Sequence, residues 1–559
     1  MPIPVRHEIL FGNGPGPLSG LRAAIARLSQ ISFNIANSKI ALVDCGAMKH
    51  LICLLALQLG TQLFVAFVFC LALILAFSSK DGLGNPRTGF RSRGAHGSIS
   101  GDPNVSLEWI SQALAAQMLY QETIPMRLLQ PASTHNSFLS HAEGYGLCGT
   151  ISFALQNWTL GEQIRVGIRQ LELDIFRVGA ELIVCHPCYD QCQVAARLCN
   201  RSLGSYAAPG VPVGSSVFGC DPRINLSFKA ALNRIWENCL AYMDEHPKRR
   251  EREMLILHLQ LHVDEGLSQL ANHIDSDPWI SQFIADLQTS LLNHAIVPAL
   301  FRESTGALAE SSIETLRRRT PQTLIPPMWV LPVVDMIDPS SGRRALANSS
   351  IFTNRNSPLS NLVVPNFSPL EYPEDRLIHL GESDSCTLAV RGLGISQLSR
   401  NFTYFVGSIF STRKHIADAY RCGFAVRADM PSYSARQEAL LGMIWSWKLG
   451  RPIPDLLNND AGNFSRPTYM DAKDCRWSEV NRASKASPTL WLCTWDPPER
   501  VGERTTWDLV PDRKSFCHID IPRTGYENTL ACAVLREKRV AVARLGIDQS
   551  NHYAQTRAA

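Results

Sequence analysis

The chain has 559 residues, of which 45% are hydrophobic and 19% are charged, and its formal net charge is +4. A chain of this length and composition can bury a core of barrel size with further structure beside it. So small a net charge gives no basis for a nucleic-acid or other polyanionic partner.

The first marked segment is Leu51–Phe77, twenty-seven residues without a charge. A bilayer span takes about 20 residues, so this segment is long enough to be a single-pass anchor. Lys49 and His50 before it are also typical of a signal peptide that starts at Met48 and ends near residue 78, although its apolar run exceeds the usual limit of about 15 residues. Both alternatives place the rest of the chain in the extracellular or lumenal space, as a membrane-bound or a secreted protein.

Two further features favour an oxidising compartment. Thirteen of the sixteen cysteines follow the apolar segment, and six fall between Cys185 and Cys239, which predicts a disulfide-stapled loop. The alternative is a zinc site at Cys185, Cys188, Cys192 and Cys199, which lacks a clean second CxxC pair. Eight N-x-S/T triplets predict a glycosylated ectodomain. They begin at Asn104, Asn157, Asn200, Asn225, Asn348, Asn366, Asn401 and Asn463.

Residues 78–106 are rich in Gly, Ser and Arg, which predicts a flexible stalk, and apolar periodicity then predicts alternating helices and strands. The predicted helices cover Leu107–Leu119, Thr159–Arg169 and much of Leu267–Leu308. The predicted strands are Met126–Ala132, Gly167–Phe176, Glu181–Cys185, Met254–Val263, Phe402–Phe410 and Gly423–Ala428. Long loops are expected over Asn200–Ile224 and Pro339–Pro373.

Polar residues stand at or near the ends of three of these strands. His135 and Asn136 follow the first, Glu172 and Asp174 lie in the second, and His186 closes the third. In a barrel of parallel strands, side chains at the carboxyl ends converge on one face. Two histidines and a set of oxygen ligands suit in-line displacement at phosphorus. One imidazole takes a proton from the nucleophile, the other gives one to the leaving oxygen, and a hard cation neutralises the phosphate.

These fragments, in this order, carry a family resemblance. The T-H-N-S motif at residues 134–137, the G-I-R-Q-L-E-L-D segment at 167–174 and the strand that ends at His186 resemble the X-domain half of phosphatidylinositol-specific phospholipase C. More broadly, they resemble the PLC-like phosphodiesterase superfamily. The resemblance covers about residues 121–447 and implies an α/β fold, a TIM-type (β/α)8 barrel, here with a Cys-rich inserted loop and a small C-terminal extension.

The resemblance implies roles for single residues. His135 and His186 would be the acid/base and charge-stabilising pair, and Arg169 would bind substrate. Asp429 matches an acid of the secreted members and would orient His135 through a hydrogen bond. The alternative for Asp429 is a helix N-cap ahead of Pro431.

The same motifs favour the metal-dependent type. Metal-dependent members carry Asn after the first histidine and E-x-D on the next strand, which matches Asn136, Glu172 and Asp174. Metal-independent members tend to carry Asp and a basic residue at the corresponding places. Residues 172 and 174 share one face of a strand because side chains alternate, so both carboxylates can reach one ion. The oxygen-only ligand set predicts Ca²⁺, with Mg²⁺ less favoured.

Gln260 stands where the family carries a further carboxylate ligand. An amide oxygen can ligate calcium but brings no negative charge, so weaker binding is expected. A shift in the alignment would bring Asp264 or Glu265 to this place instead. His258, Gln260 and His262 alternate onto one strand face, which leaves a zinc pair as a further alternative.

The expected organisation has five parts. They are an N-terminal tail (1–47), a signal peptide or transmembrane anchor (48–78), a stalk with a lead-in helix (79–120), the PLC-like barrel (121–432) and a Trp- and Cys-containing extension (433–559).

The predicted function is that of a phosphoric diester hydrolase of the phospholipase C type, acting in lipid metabolism. Its expected partners are a phospholipid or other phosphodiester substrate and the membrane, through residues 51–77, with no nucleic acid and no obvious protein partner. One alternative is a glycerophosphodiesterase or sphingomyelinase-D-like enzyme on the same barrel, although glycerophosphodiesterases tend to show His-Arg where this chain has T-H-N-S. The other is a non-catalytic surface-binding protein on a degenerate barrel, which Gln260 supports best.

Overall fold

In the computed structural model the chain divides into two compact units, residues 1–95 and 96–559. Only parts of the second unit are described. The described residues are 105–145, 154–186, 225–262, 278–291, 310–338, 412–453, 468–479, 490–511 and 517–545, with short gaps, and single residues or short pieces elsewhere.

Several predictions fall outside these ranges. The apolar segment 51–77, the stalk, most of the loop over Asn200–Ile224 and six of the eight glycosylation triplets belong to this group. Within the ranges that are described, no helix is both long enough and apolar enough to cross a membrane.

Eight α-helices are described. They are α1 Leu107–Tyr120, α2 Leu160–Val166, α3 Phe228–Glu245, α4 Pro278–Leu291, α5 Ile313–Arg319, α6 Arg413–Arg421, α7 Tyr433–Met443 and α8 Gly525–Glu537. The first two confirm the predicted helices. α2 begins with a capping box between Thr159 and Glu162, and it ends at Gly167, whose φ of +106° suits a residue without a Cβ.

The structure also has seventeen described strands. They are β1 Ser133–Thr134, β2 Gln170–Val178, β3 Glu181–Val184, β4 Met254–His262, β5 Trp329–Asp338, β6 Arg343–Arg344, β7 Val364–Pro365, β8 Ile378–Leu380, β9 Cys386–Leu388, β10 Tyr404–Val406, β11 Ala425–Ala428, β12 Thr468–Asp471, β13 Arg476–Glu479, β14 Trp491–Thr494, β15 Trp507–Val510, β16 His518–Ile519 and β17 Val542–Arg544.

The main sheet is mostly parallel, and the chain has a mixed α/β fold. Strands β10, β11, β1, β2, β4, β5 and β7 pair side by side in that order, all parallel. Helices α2 and α3 lie in the connections between successive strands, as parallel pairing requires. A barrel would close between β7 and β10, where little of the chain is described, so the described strands form an open sheet and a closed barrel is not shown.

Two predicted strands differ from the structure. The run Met126–Ala132 contains a 3₁₀-helix over Met126–Leu128 and no strand, because the prolines at 125 and 131 cannot donate to a ladder; β1 is the two residues that follow. The strand before His186 is antiparallel to β2. Only two residues separate β2 from β3, and a parallel crossover needs a dozen or more, so β3 folds back as a hairpin.

The sheet has one apolar and one polar face near the candidate site. Leu171, Leu173, Leu257 and Leu259 are completely buried in the core. The residues between them in sequence point to the other face because side chains alternate along a strand. On that face the register sets Glu172 beside His258 and Asp174 beside Gln260. Fully burying a leucine contributes roughly 1.5–3 kcal/mol, so the apolar face holds these strands in place.

A second sheet lies in the C-terminal part, where β13, β12, β17, β14 and β15 pair in that order and β16 joins β14. Trp445, Trp447 and Trp477 are buried together, the latter two at 5.6 Å between ring centres. A disulfide between Cys475 and Cys532 ties the edge of this sheet to α8.

Two further disulfides, Cys185–Cys220 and Cys493–Cys517, are described. The bond joins Cys185, the first cysteine of the predicted Cys-rich stretch, to Cys220, so Cys185 is a disulfide partner and the zinc alternative built on it is wrong. Disulfides are typical of proteins that fold in an oxidising compartment and fit secretion.

Candidate functional site

The register of three neighbouring strands brings the predicted histidine and two acids to one level. Thr134 pairs with Ala428 on one side and with Leu171 on the other. One residue further along, His135 therefore comes level with Asp429 and Glu172 at the carboxyl edge of the sheet. This edge is where parallel α/β sheets place their ligands.

The outer residues of the T-H-N-S motif support the inner two. The Thr134 hydroxyl donates to Gln163 of α2 at 2.8 Å, and Ser137 Oγ accepts from the backbone N–H of Glu172 at 2.8 Å. Asn136 has a positive φ of 44°, a left-handed conformation that Asn tolerates better than most residues. This turn directs the backbone N–H of Asn136 at Glu172 Oε2, 3.1 Å away.

His135 is held from both sides of its ring. Nδ1 lies 2.8 Å from Asp429 Oδ1, and Nε2 lies 3.3 Å from Asn136 Nδ2 and 3.9 Å from Glu172 Oε2. Burial opposes protonation of the ring, but the negative charges of Glu172 and Asp429 outweigh it and raise the pKa of His135. Asp429 is not a helix cap, since α7 is capped by Ser432.

Glu172 lies at the centre of the site and is completely buried. Its Oε1 accepts hydrogen bonds from the Gln260 amide and from the Arg427 guanidinium. Burial alone would raise the pKa of Glu172, but the charge of Arg427, then that of His135, holds it well below its usual range. The carboxylate is therefore charged, and its counter-charge comes from within the protein.

Sequence analysis does not identify two residues of this polar cluster. Arg427 on β11 contacts both Glu172 and His258, and Asp335 on β5 lies 2.9 Å from His258 Nε2. The register places Asp335 beside Gln260, so a carboxylate lies next to the amide on the neighbouring strand. The sequence signal for Arg427 and Asp335 is the same: each is a charged residue inside an apolar run of its strand.

His186 reaches the site through the hairpin. Because β3 runs back along β2, Cys185 comes level with Asp174, and the backbone N–H of Cys185 donates to the Asp174 carbonyl oxygen. His186 is the next residue, and its Nε2 lies 4.0 Å from Asp174 Oδ2. The His186 side chain is 44% exposed, whereas the Asp174 side chain is 6% exposed. The two predicted histidines thus differ in setting, one enclosed and one open to solvent.

Arg169 is not brought to this edge. It precedes β2 and pairs with Glu253, which precedes β4, at 2.5 Å, so both residues lie at the amino ends of the strands. Its guanidinium also donates to the backbone oxygens of Ile164 and Ile168 and lies 4.4 Å from the Tyr242 ring. A buried arginine with these partners stabilises the fold at the end opposite to His135.

The structure does not support the zinc alternative on β4. His258 is engaged by Arg427 and Asp335, while the His262 ring stacks on Phe176 with ring centres 3.9 Å apart. Throughout the described ranges, no group of three or more His, Cys, Asp or Glu side chains is arranged to hold a metal ion. Asp264 and Glu265, the alternatives to Gln260, lie outside those ranges.

Several side-chain oxygens at this edge are of the kind that could hold a hard cation. The side-chain oxygen of Asn136 is buried and accepts no hydrogen bond. It adjoins Glu172, and Asp174 and Asp335 lie on the same polar face. Oxygen ligands with surplus negative charge fit Ca²⁺ better than a transition metal.

Comparison with known proteins adds little. No family model and no curated protein matches the chain. Among solved structures, two crystal forms of the apo calcium-dependent phosphoinositol-specific phospholipase C from a Gram-negative bacterium, Pseudomonas sp., are similar at 12% identity and a TM-score of 0.27. Each match covers 57% of this chain and 89% of that one. A TM-score at this level supports no conclusion on fold or activity. The function is therefore inferred from the geometry of the side chains.

Proposed function

We propose that the protein is a phosphoric diester hydrolase of the phospholipase C type, on a TIM-type barrel, acting by histidine acid/base catalysis with a divalent cation. The observation that carries the proposal is the position of His135. Asp429 lies against one ring nitrogen, and the other nitrogen faces Asn136 and the buried Glu172 at the carboxyl edge of a parallel sheet.

In this mechanism His135 is the general base. In the tautomer with the proton on Nδ1, the Nδ1–H group donates a hydrogen bond to Asp429, and Nε2 is the lone-pair nitrogen that takes a proton from the attacking hydroxyl. The ring then carries a positive charge between two carboxylates, Glu172 and Asp429, which stabilise it. A positioned base of this kind contributes roughly 10²–10⁴-fold to the rate.

His186 is the general acid. Its side chain is 44% exposed, enough to meet a substrate, and its Nε2 lies 4.0 Å from Asp174 Oδ2. As the bond from phosphorus to the leaving oxygen breaks, His186 gives that oxygen a proton. His135 gains one proton and His186 loses one, so the total number of protons on the two rings is unchanged. Transfer of a proton from His135 to His186 through water restores the starting state.

Asn136, Glu172, Asp174 and Gln260 would hold the cation, which when bound neutralises the charge of the phosphoryl oxygens. Calcium suits an irregular set of oxygen ligands better than magnesium does. The free oxygen of Asn136 supports this assignment, because a buried acceptor without a partner is costly unless a ligand satisfies it.

The substrate class follows from the site and the compartment. A phosphodiester of a phospholipid fits a site that offers a histidine base, a histidine acid and residues that would hold a neutralising cation. The disulfides support secretion or display outside the cytosol, where such a lipid surface is accessible.

A panel of phosphodiesters tested with calcium and with chelator checks the proposal. Wild-type protein should hydrolyse at least one diester with calcium, and His135→Ala should not. A cyclic phosphate product supports attack by a neighbouring hydroxyl, whereas an acyclic product alone favours the glycerophosphodiesterase-like alternative. If no diester is cleaved under any condition, the protein is a binding protein and the proposal is wrong.

A further inference from the structure

Besides Arg427, a second buried arginine, Arg436, lies near the candidate site, and the proposed mechanism does not use it. Arg436, near the start of α7, has its guanidinium carbon 3.9 Å from the centre of the Trp158 ring and 4.6 Å from the centre of the Tyr433 ring. The residue is only 7% exposed. Contact with two aromatic rings restricts the orientation of the guanidinium.

Within the described part of the chain, no ion pair compensates this buried charge. Among the residues that the structure describes, no carboxylate pairs with Arg436, and its Nε is buried without an acceptor. Burial lowers its pKa, although Tyr433 and Glu162 act in the opposite direction. The carboxylate of Glu162 already accepts hydrogen bonds from Thr159 in the cap of α2. Buried arginines are usually paired, so Arg436 is suited to an anion from outside the chain.

Both elements that enclose Arg436 come directly from the candidate site. Gln156 donates its amide to the backbone oxygen of His135 at 2.6 Å, and Trp158 follows two residues later. On the other side, α7 begins four residues after Asp429. Two residues span at most about 7 Å, so the backbone of Trp158 lies within about 7 Å of that of Gln156.

We propose that Arg436 is the centre of an anion subsite that binds a phosphate group other than the one being cleaved. The subsite deepens the proposed function, on which it rests, because it selects substrates or lipid surfaces that carry a second phosphate. A fixed planar guanidinium can give two parallel N–H bonds to one phosphate. The positive end of the α7 dipole adds to the attraction, since Arg436 lies close to the helix start.

Binding of inorganic phosphate to the full-length protein in excess chelator tests the subsite apart from catalysis. Phosphate should raise the thermal midpoint relative to chloride at equal ionic strength. Arg436→Gln should weaken this binding by about ten- to a hundredfold, the loss expected for charge-assisted hydrogen bonds, and Arg436→Lys should weaken it less. Arg318→Gln, which removes an exposed arginine paired with Glu314, is the matched control and should bind like wild type.

A second variant and a vesicle-binding assay extend the test. If Arg436→Gln does not fold, Tyr433→Leu is the second variant. It removes the exposed aromatic ring that contacts Arg436 and should weaken phosphate binding several-fold. Sedimentation with phosphatidylcholine vesicles, with and without phosphatidate, separates a lipid phosphate from a soluble one. Binding by Arg436→Gln or Tyr433→Leu equal to wild type overturns the subsite. Arg436-dependent phosphate binding in a protein that cleaves no diester supports the subsite and refutes the hydrolase.

Discussion

Arg427 contacts the carboxylate of Glu172 across the polar face of the sheet, although the two residues are 255 positions apart in the chain. Both side chains are completely buried. An isolated charge at such depth costs several kcal/mol, so each residue depends on the other. The pair also joins β11 to β2 within the main sheet. The two carboxylates that flank His135 belong to the same strands, because Glu172 lies in β2 and Asp429 directly follows β11.

Arg427→Met should destabilise the protein by about 3–5 kcal/mol, because it leaves the Glu172 charge buried and unpaired. The double variant Arg427→Met with Glu172→Gln should lose less than the sum of the two single changes. Urea unfolding of the four proteins measures the coupling. Arg318→Met, on the surface, should stay within about 0.5 kcal/mol of wild type, and additive single effects would contradict the pairing.

The same pair predicts a dependence of stability on pH. The pKa of Glu172 is lower in the folded state than in the unfolded chain. Its contribution to stability is therefore present above the unfolded value and is lost as the pH falls through the folded value. In chelator, the stability difference between wild type and Glu172→Gln should shrink as the solution is acidified below the ordinary carboxyl range. A difference that stays constant with pH would rule out a charged Glu172.

His135→Ala and His186→Ala should each lower turnover by roughly 10²–10⁴-fold while the protein stays folded. Circular dichroism and thermal midpoints check the fold, and initial rates on the best diester check the activity. His141→Ala provides a control, since that histidine lies in an exposed 3₁₀ turn next in sequence to the site. Near-normal rates in both site variants would remove the acid/base assignment.

Much of the local structure follows from the sequence. The capping box at Thr159 and the apolar periodicity of α1 predict helices because their causes lie within a few residues. The alternation of Leu and polar residues in β2 places Glu172 and Asp174 on one face for the same reason.

The contacts that assemble the site are harder to predict because they join distant strands. Arg427 and Asp335 meet His258 only through strand order and register, which depend on packing of the whole sheet. The direction of β3 is a similar case, since it sets where His186 lies. The prediction that Arg169 binds substrate is wrong for a related reason. Its neighbours in sequence belong to the site motif, but Arg169 itself lies at the other end of the strand.

Cys239 should be unreactive in the folded protein. It is a free thiol, completely buried in α3, and burial raises its pKa to about 12. At about pH 8 very little of it is thiolate, the reactive form. Peptide mapping after alkylation should find Cys239 unlabelled in native protein and fully labelled in denaturant. Rapid labelling without denaturant would show that α3 opens readily.

The last prediction concerns Gln260 and the cation. The Gln260 amide donates to Glu172 Oε1, so it satisfies an oxygen that a cation would otherwise bind. Gln260→Glu replaces this donor with a second negative charge. Two like charges about 4 Å apart repel by roughly 4 kcal/mol at an effective dielectric of 20, so the variant should be less stable than wild type in chelator.

Calcium should reverse this loss, because a cation between the two carboxylates turns repulsion into ligation. The thermal midpoint of Gln260→Glu should therefore rise more with calcium than that of wild type, and calcium should act at lower concentration than magnesium. Gln112→Glu is the matched control, since the Gln112 amide lies 3.4 Å from Glu108 on the exposed face of α1. It should show no added calcium response. Full wild-type activity in excess chelator, with equal calcium shifts in all three proteins, would mean that the site works without a cation.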